Sequence, residues 1–221
     1  MAGSVTGVEA VVFDVGETLV DETRVWSAWA DRLGVPRLTF LAVLGAVIER
    51  GGDHREPFRL LRPDLDLAAE VRRLVETGEM EDIAHGDLYP DAEPALAALH
   101  RRGYRLGIAG NQPSRTEALF RELDVPVELV ASSATWGVEK PDVRFFTRIA
   151  EGFGLEPRSI AYVGDRLDND VRPAAAAGLV AVFLRRGPWA WIQAGRGRPP
   201  EAALTIESLA ELPAVLGSAG S

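Results

Sequence analysis

Three stretches of the chain place reactive side chains where a buried strand would end. In Ala10-Val11-Val12-Phe13-Asp14, four apolar residues run straight into one carboxylate, and Gly16 and Thr18 follow. A short apolar run bounded by turn residues reads as a strand buried on both faces. Open α/β sheets bind ligands at the carboxyl ends of such strands. Gly110-Asn111 closes a second apolar run. Gly164-Asp165 closes a third and opens Gly164-Asp165-Arg166-Leu167-Asp168-Asn169-Asp170, with three carboxylates within six residues. Taken singly, each has a plain alternative: an Asp that caps a turn, or acidic residues favoured at a helix start. Together, carboxylates gathered in one cleft repel, and a hard divalent cation relieves the repulsion. Mg2+ accepts oxygen ligands and keeps several waters, so one or two carboxylates and a phosphate oxygen suffice.

One further residue points the same way. Of 24 basic residues, 23 are Arg and one is Lys, Lys140. In so Arg-rich a chain, a lone lysine is either chance or a place where a compact ammonium is needed and a wide planar guanidinium does not serve. A nucleophilic carboxylate, a divalent cation and a lysine suit phosphoryl transfer by anion neutralisation and attack at phosphorus.

These groups need a scaffold. From Tyr89 onward strands and helices alternate. The pattern predicts a helix from Asp91 to Arg102, then a strand Tyr104 to Ala109. A helix from Ser114 to about Leu123 and a strand Val127 to Ala131 follow. After the loop Gly137 to Asp142 comes a helix carrying Phe145, Phe146, Ile149 and Phe153, then a strand Ser159 to Val163. A short helix from about Asn169, a strand Leu179 to Leu184, a Gly/Pro/Arg/Trp-rich loop Arg185 to Pro200, a strand Ala202 to Ile206 and a short helix from Ser208 complete the chain. Such alternation implies a doubly wound parallel sheet with right-handed crossovers. Residues 21–88 differ: Trp26, Trp29 and Leu33, then Leu41, Leu44 and Ile48, then Leu67, Val71, Leu74 and Val75 recur at helical spacing. The expected organisation is an α/β core of residues 1–20 and 89–221 with a helical insert at 21–88 after the first strand.

Composition bounds the rest. The chain has 221 residues, 47% apolar and 26% charged, an ordinary globular balance. A net charge of −9 argues against nucleic-acid or anionic-membrane partners. No apolar run reaches the roughly 18 residues of a membrane span. Met1 to Thr6 lacks the basic and apolar regions of a signal peptide. There is no cysteine, which rules out disulfides, thiolate nucleophiles and Cys-bound metals. A cytoplasmic location is expected, and the Arg, Ala and Gly bias suggests a GC-rich bacterial source.

With these residues in view, the sequence resembles the haloacid dehalogenase superfamily, most of whose members are phosphatases, over nearly its whole length. FDVGETL resembles the family's first motif, LGIAGN the second, GVEKPD the third and VGDRLDND the fourth. The resemblance implies a Rossmann-like core with a helical cap that closes over the site. It implies Asp14 as nucleophile, Gly110 and Asn111 as phosphate contacts and Lys140 as the catalytic and substrate-binding lysine. For Mg2+ it implies Asp14, the Gly16 backbone carbonyl and Asp165, with Asp170 as a metal or supporting carboxylate. The implied partner is a small phosphorylated metabolite, with the protein a monomer or homodimer.

Two departures divide the function. Family phosphatases usually carry a second Asp two residues after the nucleophile, which protonates the leaving group and then activates water. Here that position is Gly16, and losing a positioned acid/base costs about 10²–10⁴-fold in rate. Glu17 is the nearest replacement, though adjacent turn residues point differently. Gly110 stands where the family usually has Ser or Thr. The leading expectation is therefore a slow Mg2+-dependent phosphatase working through an aspartyl phosphate at Asp14. The alternative is a catalytically weak module that binds a phosphorylated ligand or a protein. Dehalogenation of a 2-haloacid ranks behind both, because Asp165 to Asp170 suit a cation. Arg24, Trp26 and Trp29 could face the crevice, although surface Arg and core Trp are the plainer assignment. Pro188-Trp189-Ala190-Trp191 suggests either a partner surface or core packing.

Overall fold

The computed structural model describes residues 5–194 and 201–217. The chain divides into two compact units, one formed by Met1–Asp21 with Leu88–Ser221 and the other by Glu22–Asp87.

In the first unit, β1 (Ala10–Phe13) is buried at every position, as its unbroken apolar run requires. It lies inside a parallel sheet with β2 (Arg105–Gly110), β3 (Leu129–Ser132), β4 (Ile160–Gly164), β5 (Val180–Leu184) and β6 (Leu204–Ile206). The order is β3-β2-β1-β4-β5-β6, the doubly wound arrangement, and its switch point falls between β1 and β4. Phe13 is in register with Ile108 on one side and Val163 on the other, so the residues that follow these strands emerge side by side. Observed strands begin and end within one or two residues of the predicted ones.

The apolar stripe after Lys140 forms a helix, Val143–Phe153, that buries Phe145, Phe146, Ile149 and Phe153. Phe145, Phe146 and Tyr162 meet edge-to-face at 5.6 and 5.0 Å, joining the helix to β4. One expectation fails: Arg185 to Pro200 is not all loop, because Gly187–Ala194 is a helix. Pro188 falls in its first turn, where a missing N–H costs nothing, so a residue that reads as a breaker opens the helix instead. Residues 195–200 of that stretch lie outside the described residues. The short helix expected from Asn169 begins instead as a π-helical turn, Leu167–Val171, and continues as Arg172–Ala176.

The second unit is helical: α1 (Thr23–Arg32), α2 (Arg37–Glu49), α3 (Glu56–Leu61) and α4 (Leu67–Thr77). Its core is Trp29, Ala30, Leu33, Phe40, Phe58 and Leu74. Phe58 meets Trp29 and Phe40 edge-to-face, at 5.0 and 5.4 Å. Two of the residues that periodicity placed inward lie outside: Leu41 and Val75 are exposed, whereas Leu44 and Leu74 on the same helices are buried. Among the described residues no helix is long and apolar enough to cross a membrane.

Candidate active site

The carboxyl edge of the first unit's sheet gathers the charged groups. Asp14 follows β1 directly, and its N–H donates to Val163 O at 2.9 Å, so the strand ladder fixes its backbone. The Lys140 ammonium stands 2.6 Å from Asp14 Oδ1 and 2.6 Å from Asp170 Oδ1, with all three residues buried. Lys140 reaches this point from the loop between the short helix Ser133–Trp136 and the helix Val143–Phe153. Asn111 holds that loop. Its Nδ2 donates to Lys140 O at 2.9 Å, and its Oδ1 accepts from Lys140 N at 2.8 Å. The ammonium also lies 5.5 Å from the centre of the Tyr162 ring, and Tyr162 OH donates to Ala109 O. Burial alone would lower the lysine's pKa, but the two carboxylates more than reverse this and hold the ammonium protonated.

Gly164 is what admits Asp170. A Cβ on Gly164 would stand 2.5 Å from both Cγ and Oδ2 of Asp170, so only glycine allows that carboxylate so close to the strand end. Asp170 is then tied at both oxygens, Oδ1 to Lys140 and Oδ2 to the Arg166 N–H at 3.0 Å. Asp165 is fully buried, and its Oδ2 has no hydrogen-bond partner. Burial, then Asp170 and Asp14, push its carboxyl well above the usual range. Burial and Asp14 likewise push Asp170 up to about 6, against the pull of Lys140.

Oxygen atoms of Asp14, Asp165 and Asp170 lie within 4.8 Å of one another. Fully ionised, the three carboxylates exceed the one ammonium by two negative charges in a buried space, and one carboxylate oxygen there has no hydrogen-bond partner. An all-oxygen donor set with that charge fits a hard divalent ion such as Mg2+.

The sequence did not reveal how this loop is supported. Gln193 accepts from Leu167 N–H at 2.7 Å and donates to Asp168 at 3.1 Å. The buried Trp189 ring lies 5.1 Å from the Arg166 guanidinium. Both supports come from the unpredicted helix Gly187–Ala194; the aromatic cluster around Pro188 was the only hint, and it also yields the exposed Trp191.

The two departures, at positions 16 and 110, and the neighbouring Glu17 have structural counterparts. Gly16 lies in the turn after Asp14, bridged to Val20. Glu17 is the one described non-glycine residue with a left-handed backbone, φ 53°. It is buried, and its Oε2 accepts from Tyr89 OH at 2.7 Å. Gly187 makes room for it, since a Cβ there would stand 2.6 Å from Glu17 Cβ. Burial first, then Glu17, raises the Tyr89 pKa, so its hydroxyl stays a donor. At Gly110, a Cβ would stand 2.7 Å from Asp14 Oδ1 and 3.2 Å from Val15 Cγ2. Asp14, Lys140, Asp165 and Asp170 thus come together, with Gly110 and Asn111 beside them. Arg24 instead pairs with Asp87 and Glu81 within the helical unit, and Trp29 belongs to that unit's core.

Comparison with known proteins places the chain in a family. The family model for haloacid dehalogenase-like hydrolases matches residues 8–178. A glyceraldehyde 3-phosphate phosphatase from Methanopyrus kandleri is 32% identical over 202 residues, 82% of this chain and 86% of that protein. A phosphoserine phosphatase from Thermus thermophilus is 34% identical over 172 residues, 72% of this chain and 68% of that one. Among solved structures, a HAD phosphatase from Thermococcus onnurineus is similar with a TM-score of 0.61 and 26% identity, over 97% of this chain and all of that one.

Proposed function

The chain belongs to the haloacid dehalogenase-like hydrolases, and from that premise we propose that it is a Mg2+-dependent phosphatase of a small phosphate monoester, acting through an aspartyl phosphate at Asp14. The observation that carries this reading is the buried Lys140 ammonium, 2.6 Å from both Asp14 and Asp170, beside an Asp165 oxygen with no partner. The phosphatases among its relatives, which act on glyceraldehyde 3-phosphate and phosphoserine by name, support the substrate class.

Asp14, the Gly16 carbonyl, Asp165 and Asp170 would hold the ion, which when bound neutralises the cluster and draws charge from a phosphoryl oxygen. Lys140 holds Asp14 Oδ1 and so leaves Oδ2 to attack phosphorus. As the new P–O bond forms, the ester bond breaks and the electron pair leaves on the substrate oxygen. Water then attacks the phosphorus of the acyl phosphate, inorganic phosphate departs, and the Asp14 carboxylate is restored. Gly110 and Asn111 meet the phosphate through main-chain N–H groups, since one has no side chain and the other's amide is engaged with Lys140. No side chain at position 16 can protonate the leaving oxygen or activate the water, and Glu17 is bonded to Tyr89. Turnover is therefore slow and favours substrates whose leaving oxygen needs little protonation, such as aryl and acyl phosphates.

Gly16 is also the observation that favours a second reading, a family member that binds a phosphorylated ligand and turns it over poorly. A screen of p-nitrophenyl phosphate, acetyl phosphate, glyceraldehyde 3-phosphate and phosphoserine, with and without Mg2+, tests the first against the second. The expected result is Mg2+-dependent phosphate release that Asp14→Asn abolishes without loss of fold. Release unaffected by Asp14→Asn rules out the covalent route. Ligand binding without release favours the binder, and chloride released from 2-chloropropionate favours the dehalogenase.

A further inference from the structure

Glu17 is buried and takes no part in the reaction proposed above, yet it holds the one left-handed backbone among the described non-glycine residues, φ 53°. A Cβ makes that conformation costly, and glycine would adopt it freely. Such outliers persist only where their surroundings over-determine them. The Glu17 side chain is therefore what the position needs, and a place is made for it. Gly187 has no Cβ, and one there would stand 2.6 Å from both Cβ and Oε2 of Glu17. Tyr89 OH donates to that same Oε2 at 2.7 Å.

Arg186 completes the arrangement. One arm of its guanidinium donates to Thr18 O at 3.0 Å, the other donates to Asp91 Oδ2, and its face lies 4.2 Å from the centre of the Tyr89 ring. Asp91 Oδ2 is fixed in turn by Ser208 Oγ at 2.6 Å and by the Leu209 N–H at 3.1 Å. The Tyr89 N–H donates to Leu19 O at 2.9 Å. The turn after Asp14 is thus held from outside at Glu17, Thr18 and Leu19 in succession. A rigid planar fork can bridge two acceptors while stacking on a ring, and an ammonium cannot do all three.

Gly16 sits inside this turn with no side chain of its own to anchor it. Its carbonyl belongs to the planar peptide that joins it to Glu17, and the φ of Glu17 sets how that peptide is turned. Whatever keeps Glu17 left-handed therefore also keeps the Gly16 carbonyl in place. We propose that Tyr89 and Arg186 are positioning residues for the cation: acting through Glu17 and Thr18, they fix the direction of the Gly16 carbonyl. This rests on the Mg2+ site proposed above, in which that carbonyl is the main-chain ligand. Tyr89→Phe and Arg186→Lys keep every formal charge, so a change of cation affinity in either variant comes from geometry and not from the field.

The test is titration calorimetry of the full chain with MgCl2 alone near pH 8, for the native protein, Tyr89→Phe and Arg186→Lys, with thermal unfolding alongside. The expected result is a Mg2+ dissociation constant that rises about tenfold or more in each variant, the usual cost of losing a group that orients a metal ligand. A purely structural pair lowers the thermal midpoint and leaves the Mg2+ affinity unchanged, and that result overturns the proposal. So does tighter binding by Tyr89→Phe, because the freed Glu17 then ligates the ion itself. Should Arg186→Lys fold poorly, Tyr89→Phe, which removes a single oxygen, decides the matter. A native chain that binds no Mg2+ at millimolar concentration overturns the Mg2+ reading and this proposal with it, whereas native binding that the folded variants share overturns this proposal alone.

Discussion

Glycine stands at both positions, 16 and 110, where the motif resemblance leads one to expect Asp and Ser or Thr, and the two glycines differ in consequence. By residue type each is a loss, of an acid/base at one and of a hydroxyl at the other. The geometry separates them, because the space where a Gly110 side chain would begin is taken by Asp14 Oδ1 and Val15. Restoring the hydroxyl there displaces the nucleophile, whereas position 16 lies in the turn beyond it. Gly16→Asp is therefore expected to raise kcat, within the roughly 10²–10⁴-fold worth of a positioned acid/base. The gain should be larger for an alkyl phosphate than for p-nitrophenyl phosphate, whose leaving oxygen needs no proton. Gly110→Ser should lower kcat by about tenfold or more, since small displacements of a reacting group are costly. Steady-state kinetics on the two substrates checks both, and a Gly110→Ser variant faster than the parent contradicts the crowding argument. At this scale the sequence was informative about identity and silent about engagement. Lys140 stood out as the single lysine, and Asp14 and Asp165 as carboxylates at strand ends. That the Asn111 amide is spent on the Lys140 peptide, and Glu17 on Tyr89, could not be read from residue types.

At the scale of elements, the acidic loop runs from the end of β4 into the π-helical turn Leu167–Val171 and is braced by the helix Gly187–Ala194. Gly164 is the point of closest approach, because Asp170 fills the place its Cβ would take. Gly164→Ala must push Asp170 away, and Asp170 is what shares Lys140 with Asp14. The expected outcome is a loss of about 1–3 kcal/mol, as for other overpacked core sites, together with loss of any Mg2+-dependent turnover. Urea unfolding and activity measured side by side check this, and a stable, fully active variant contradicts the assigned role of the approach. The strands were legible almost to the residue, because buried parallel strands write themselves as unbroken apolar runs between turn residues. The helix Gly187–Ala194 was not, because it opens with Gly-Pro and its supports, Trp189 and Gln193, face a loop some twenty residues earlier. Leu41 and Val75 fit the inward period but stand exposed, because periodicity identifies faces without saying which face is covered.

For the molecule as a whole, the collected charge links folding to the cation and to pH. Burial and Asp14 raise Asp170 from 3.8 to about 6, and burial, with Asp170 and Asp14, raises Asp165 as well. A folded-state pKa above the unfolded one favours the protonated carboxyl. Its stabilising contribution is full below the unfolded value and is lost as pH rises through the folded value. The metal-free protein is therefore expected to lose stability from Asp170 as pH rises from about 4 through about 6. A divalent ion binds the deprotonated cluster and opposes this. At about a hundred times its dissociation constant it contributes roughly 2.7 kcal/mol, a rise in Tm of several degrees for a chain of this size. Thermal unfolding with Mg2+ and with EDTA should show that rise near pH 8 and a much smaller one near pH 5. Equal shifts at both pH values count against a carboxylate site. By itself, the sequence determined the family, the doubly wound α/β class and the identities of the charged residues, because strand runs, helix periods and motif spacings are local and survive as patterns along the chain. Tertiary structure alone decided which atoms meet: Tyr89 on Glu17 across 72 residues, Asn111 on Lys140, Gly164 against Asp170. Those contacts follow from strand order and register, which bring distant segments within a few ångströms, and no pattern along the chain encodes a distance of that kind.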